Sequence, residues 1–174
     1  MTKNSFSFND CLKSCDKKMG DISYSYFLYE YPKIRLKFPV FKENRFEKLN
    51  DFIFRLAEAY FLNQEKNQCK ELDIKFIAHN DKYISTMLCA TYENASRCRS
   101  LNFDLSTMLP ISEKMFIKDL KIKENHLKRI VKKVDKKMKV NLKTVHLFRG
   151  DLRFYAKKKN DSEMVIFRTK ISQV

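Results

Sequence analysis

The spacing of apolar residues changes four times along this chain, and that change restricts the fold more than any other feature. In ISYSYFLYEY (22–31) aromatic residues are interleaved with Ser and Glu, and in KIRLKF (33–38) Ile34, Leu36 and Phe38 fall on one face with Lys33, Arg35 and Lys37 on the other. A period of two predicts strands. Pro32 should interrupt the first and Pro39 should close the second. From about Glu43 to Asn63 the period lengthens: Phe46, Leu49, Ile53, Leu56 and Tyr60 recur three and four apart, and Phe52 and Ala57 widen the stripe. That spacing predicts a helix. The period then returns to two, at Leu72, Ile74, Phe76 and Ala78, through the apolar run Tyr83–Tyr92, and at Leu101, Phe103 and Leu105. His-Asn-Asp-Lys at 79–82 and Glu-Asn-Ala-Ser at 93–96 supply turn residues, so an antiparallel meander is expected.

Beyond Leu105, Ser112 is placed to cap a short helix reaching Leu120. A longer helix is predicted over Glu124–Lys139, with Leu127, Ile130, Val131, Val134 and Met138 on one face. Closing strands are expected at Val145–Phe148, at Leu152–Ala156 and at Met164–Ile171, joined by turns at Arg149-Gly150-Asp151 and Lys159–Ser162. The class implied is α+β, with antiparallel sheet or sheets and one long amphipathic helix in each half. Residues 1–21 are polar and lysine-rich and read as a flexible arm. A small strand-helix unit (22–70) and a sheet with a basic helix (71–174) should pack as one globular domain.

Composition decides what else is open. Hydrophobic residues make up 44% of the 174, including 15 Phe and 8 Tyr, enough to build a core and to exclude disorder throughout. Only two Gly are present, which removes phosphate-cradling glycine loops. The first residues lack the roughly 7–15-residue apolar stretch of a secretory signal, and no run of about 18 apolar residues predicts a membrane span. A cytoplasmic location is therefore expected. Five cysteines, an odd number, read in that setting as reduced thiols. Cys11 and Cys15 are spaced as two ligands on a helix face, but no second pair completes a metal set, and the three histidines are scattered. Neither a metal nor a cofactor is expected.

The positive charge is localised. Residues 114–159 hold 17 Lys and Arg against 4 Asp and Glu, within a chain of net charge +15. On the predicted helix, Lys128, Arg129, Lys132, Lys133, Lys136, Lys137 and Lys139 oppose the apolar stripe. Like charges stacked three and four apart repel, and a polyanion laid on that face would relieve the repulsion. Nucleic acid is the polyanion that fits by counterion release, although lysine runs are also ordinary solvated faces. Arg149, Arg153 and Tyr155 extend the surface. Three residues raise the question of catalysis: Asp104 at a strand end, Cys98 between Arg97 and Arg99, whose charge favours thiolate, and His79. Asp104 precedes Ser-Thr and reads as a turn residue, and no His neighbours Cys98, so no catalytic residue is assigned.

Five short motifs in order carry a family resemblance: Tyr31-Pro32-Lys33-Ile34, then Lys48-Leu49-Asn50, then Tyr83-Ile84-Ser85 leading to Tyr92, then Asn102-Phe103-Asp104-Leu105, then Leu152-Arg153-Phe154-Tyr155. Over about residues 22–158 the chain resembles the paired bacterial domains of unknown function in the lysozyme-binding anti-sigma-V factor. The same pair occurs outside the catalytic domain of a peptidoglycan deacetylase. The resemblance implies a helix on strands in the first unit, and in the second a curved sheet like that in one region of actin-type ATPase chaperones, without ATP chemistry. It implies a non-enzymatic binding or sensing module with a protein partner. The chain departs from the pattern at Glu93-Asn94-Ala95-Ser96, where relatives have a Gly-Gly-Ala-His-like loop, and at Lys157–Ser162, where they have a Tyr-Glu-rich segment. Recognition is expected on the sheet and the 93–99 loop, at Tyr92, Asn94, Arg97 and Arg99. The alternative is anion binding on the basic helix, at Lys128, Arg129, Lys132, Lys133, Lys136 and Lys137.

Overall fold

The computed structural model of the protein describes residues 6–63, 68–158 and 164–171. The chain divides into two units, Met1–Lys75 with Leu88–Arg97, and Phe76–Met87 with Cys98–Val174. The protein is of the α+β class, dominated by sheet with mainly antiparallel pairing.

In the first unit, β1 (Leu12–Lys13) and β2 (Lys17–Met19) both pair antiparallel with β3 (Ile22–Tyr31). Part of the segment expected as a polar arm is thus built into the sheet. Phe6 anchors it: the ring is buried and stacks on Phe54 and Phe61, with Tyr29 and Phe38 edge-on. β3 and β4 (Ile34–Phe41) form a hairpin in which Tyr31 faces Ile34, leaving Pro32 and Lys33 as the turn. β4 runs on through Pro39, where the sequence predicts an end. The reason lies in which side of the strand lacks a donor. The Arg35 N–H donates to the Lys70 carbonyl and the Phe41 N–H to Asn50 Oδ1, so odd-numbered donors of β4 point away from β3. Pro39 shares that side, and the parallel neighbour β5 (Glu71–His79) pairs there only with Arg35–Lys37. No ladder bond is broken by the missing N–H.

Helix α1 (Glu47–Leu62) makes the crossover between the parallel strands β4 and β5. It buries Leu49, Ile53, Ala57 and Phe61, one residue per turn, against β4. Asn50 fixes its start: Oδ1 accepts the Phe41 N–H at 2.9 Å and Nδ2 donates to the Phe41 carbonyl at 2.8 Å. One amide side chain thus substitutes for a strand neighbour at the end of β4.

Strands β5, β6 (Tyr83–Thr91) and β7 (Ser96–Asp104) contribute residues to both units. In the second unit β7 pairs antiparallel with β8 (Pro110–Ile111), and the turn between them is held by Asp104, whose Oδ1 accepts the Ser106 and Thr107 N–H groups. Asn80 organises the turn before β6 in the same way, accepting from the Lys82 and Tyr83 N–H groups. Ser112 caps α2 (Glu113–Asp119) by accepting the Met115 N–H, as the sequence predicts.

The long helix expected in the second half is shorter than the sequence predicts, and with α1 and the short α2 it makes three α-helices among the described residues, not one long helix in each half. Helix α3 (Glu124–Val134) buries Leu127 and Val131 and stops short of the predicted Lys139. Asp135 ends it: its backbone is extended and its Oδ1 accepts the Lys137 N–H at 2.8 Å. A short polar side chain bonding two residues ahead competes with the helical bond. The chain turns there and enters β9 (Met138–Phe148), which begins before the expected Val145.

β9, β10 (Asp151–Lys158) and β11 (Met164–Lys170) form an antiparallel sheet in the order β11-β10-β9. Phe148 faces Asp151, and the two turn residues Arg149 and Gly150 both have positive φ, as a tight hairpin with right-handed strand twist requires. The turn expected at Lys159–Ser162 lies outside the described residues. Side chains satisfy part of the β9 edge. Ser100 Oγ donates to the Lys143 carbonyl and Asn102 Nδ2 to the Val145 carbonyl, while Ser85 Oγ accepts the Leu147 N–H. Ser85, Ser100 and Asn102 are buried for this reason. Among the described residues no helix is long and apolar enough to cross a membrane.

Candidate functional site

A groove with a volume of about 780 Å³ lies in the first unit. Three separate stretches build it: the hairpin tip Tyr31–Arg35, the lead-in Gln68–Lys70 to β5, and Glu93. The lead-in is held on both sides, because the Arg35 N–H donates to the Lys70 carbonyl at 2.9 Å and the Lys70 N–H to the Thr91 carbonyl at 2.8 Å. Gln68 enters this segment with φ of 49°, a left-handed conformation that side chains other than Gly and Asn rarely adopt. Ile34 and Cys69 are buried and form the apolar floor, with Tyr31 as an aromatic wall. The Cys69 thiol is pushed up from its ordinary pKa by burial, so the floor is neutral and unreactive.

Charged groups ring this floor in exposed pairs. Lys70 Nζ lies 3.2 Å from Glu93, and Arg35 reaches Glu30 at 3.3 Å and Glu71 at 3.5 Å. Pairs this exposed contribute little to stability, so both cations can exchange their carboxylates for a ligand's acidic group. The geometry suits a partner segment with an apolar body and an acidic end.

Glu93 connects the groove to the turn singled out in the sequence. The Tyr92 N–H donates to the Ala95 carbonyl at 2.8 Å, and the Arg97 guanidinium lies over the Tyr92 ring at 5.5 Å. Asn94 is exposed on the same turn. Arg99 is exposed too, but belongs to the second unit. Sequence reasoning thus found the turn and missed Tyr31–Arg35 and Gln68–Lys70 as groove walls. The only local signal for them was the Tyr-Pro-Lys-Ile motif at the hairpin tip.

The basic residues are divided between two elements. Lys128, Arg129, Lys132 and Lys133 are exposed on α3, whereas Lys136 and Lys137 lie beyond its end, in the turn into β9. Lys128 is paired with Glu124 at 2.6 Å. Among the described residues the other five form no ion pair. Lys128 and Lys132 join Met138, Lys139 and Val140 around a second cleft, of about 380 Å³.

Two of the three residues weighed for catalysis, Asp104 and Cys98, have other employment, and His79 lies at the end of β5. The Asp104 carboxylate is held below its usual pKa by the Ser106 hydroxyl and by the Ser106 and Thr107 N–H groups, the bonds that make its turn. Cys89 and Cys98 are disulfide-bonded. This corrects the expectation of reduced thiols throughout and leaves Cys98 no thiolate to offer. Cys11, Cys15 and Cys69 are free. Among the described residues no three His, Cys, Asp or Glu side chains gather as a metal site.

His146 is buried on β9 against Phe76 and Tyr155. Its Nδ1–H donates to the Thr144 carbonyl at 3.0 Å, and Nε2 has no partner among the described residues. Burial lowers its pKa, and the nearby Arg153 lowers it further. The unfolded chain therefore binds a proton near pH 6.5 while the folded chain resists it. Stability should fall as pH drops below about 6.5, by up to about 1.4 kcal/mol per unit, until the folded-state pKa is passed. Urea unfolding of the wild type and of His146→Phe at pH 8 and pH 5 measures this. The variant should lose part of the pH dependence, and an equal dependence in both would sink the assignment.

Fold and groove together define a sheet-rich α+β protein with an open cleft rimmed by exchangeable ion pairs. Set beside known proteins, the chain matches no family model, no curated protein and no solved structure.

Proposed function

We propose that the protein is a non-enzymatic binding module that takes a segment of a protein partner into the groove of its first unit. The observation that carries this reading is the groove itself: an apolar floor of Ile34 and Cys69 beneath Lys70 and Arg35, whose ion pairs among the described residues are all with exposed carboxylates. Its volume of about 780 Å³ is in the range of sites that accept ligands. The resemblance to the anti-sigma-V domains supports the same reading, since that pattern belongs to modules that bind rather than react. The disulfide-bonded Cys89 and Cys98 support an oxidising working place over the cytoplasm.

A photo-crosslinking residue at Asn94, in the exposed turn beside Glu93, tests the proposal in the protein's native cells. A discrete protein adduct is expected from position 94 and none from position 18, on β2. Excess unlabelled protein should compete the adduct away, and the Lys70→Glu variant should compete at least tenfold less well. No adduct from position 94, or equal competition by the variant, would rule out the groove as the site.

A further inference from the structure

The groove leaves the basic part of the second unit unexplained, and there the charges are arranged in a way that costs the fold stability. Lys128 and Lys132 are one helical turn apart on α3, and like charges at that spacing repel. Lys139 on β9 stands directly opposite Lys157 on β10, a like-charge cross-strand pair. Lys128, Lys132 and Lys139 converge on one cleft of about 380 Å³ floored by Met138 and Val140, with Glu124 the only acid paired to any of the three among the described residues. Three lysines with one acid among them around a concavity favour a linear anion that can enter it.

We infer that this cleft between α3 and β9 is a binding site for nucleic acid, recognised through its phosphate backbone. A membrane surface fits less well. An amphipathic helix binds lipid through its apolar face, and on α3 Leu127 and Val131 are fully buried and Ile130 half-buried, which leaves Val134 as its one exposed apolar residue. What remains for a ligand is chiefly a row of lysines lining a cleft, which a phosphate chain enters and a flat bilayer does not. Lysines supply point charges without base readout, so the site is indifferent to sequence. Affinity of this kind comes from counterion release, whatever the compartment.

The test is binding of a fluorescein-labelled 20-nucleotide strand and its duplex over a salt series. If Lys128, Lys132, Lys139 and Lys157 each neutralise a phosphate, log affinity should fall with log salt at a slope of about −3 to −4. Lys132→Glu with Lys139→Glu should roughly halve the slope and weaken binding about 10–100-fold at low salt. The uncharged pair Lys132→Gln with Lys139→Gln should weaken it less, and preserves the readout should the reversal misfold. Lys18→Glu with Lys48→Glu, an equal charge change in the first unit, should leave most of the affinity intact. Absence of binding at low salt overturns the proposal, as does an equal loss in the first-unit control. Binding to phosphatidylserine vesicles without binding to the oligonucleotides would assign the cleft to lipid instead. None of these variants touches the groove, so failure here leaves the partner-binding reading standing, and the reverse.

Discussion

Truncation of Phe61 to alanine should cost about 3–5 kcal/mol of stability and should weaken partner capture at the same time. The ring is 3% exposed at the end of α1. It meets Phe6 at 5.8 Å, Tyr29 at 5.5 Å and Tyr31 at 5.6 Å between centroids. Losing it therefore removes both a buried aromatic and the support of Tyr31, an aromatic wall of the groove. It also removes one of the two helix rings on which Phe6 stacks, Phe54 being the other. Leu62, the next residue, is 64% exposed, and Leu62→Ala should stay within about 0.5 kcal/mol. Urea unfolding of the two variants compares them directly. A similar loss for both would mean that the end of α1 is not packed as described, and the support of the groove would have to be sought elsewhere.

The contrast between these neighbours shows what was legible in the sequence. The helix could be read because Leu49, Ile53 and Ala57 must lie on one face, although the expected stripe ran through Leu56 and Tyr60 where the helix buries Phe61, and the strands because Ile34, Leu36 and Phe38 alternate. The Asn80 turn and the Ser112 cap were legible for a chemical reason: a short polar side chain can bond a nearby N–H only in those conformations. The end of α3 escaped because the residues after Asp135 are lysines that suit a helix well. There a single hydrogen bond to the Lys137 N–H overrode the propensity of four residues.

The groove was hidden for a different reason. Its walls at 31–35, 68–70 and 93 are far apart in sequence, and no periodicity marks residues that meet only through β4, the lead-in to β5 and the end of β6. The turn at Tyr92–Arg97 could be anticipated from its Asn and its flanking strands, so one edge of the site was visible and the rest was not. The disulfide was equally unreadable. Five cysteines permit several pairings, and spacing alone cannot select among them.

Polar residues within the strands misled most. Ser100 and Asn102 sit where the alternation of Leu101, Phe103 and Leu105 would face water, yet with Ser85 of β6 they are buried because they serve the backbone of β9. Replacing Asn102 by leucine should cost about 3 kcal/mol, since a buried group left without its partner loses about 1–3 kcal/mol. Two groups are affected: the Val145 carbonyl loses a donor, and the Ser85 hydroxyl loses the acceptor Asn102 Oδ1. Ser85→Ala should cost about 2 kcal/mol by stranding the Leu147 N–H. Because Ser85 and Asn102 share a bond, the double variant should cost about 1 kcal/mol less than the two single losses together. Urea unfolding of the four proteins closes that cycle. Additivity within about 0.3 kcal/mol would mean that the two side chains act separately. A coupling of the expected size means that the edge of β9, which presents Lys139 and Lys143 beyond it, is held by one connected polar network, and that the basic cleft depends on residues whose sequence pattern reads as surface.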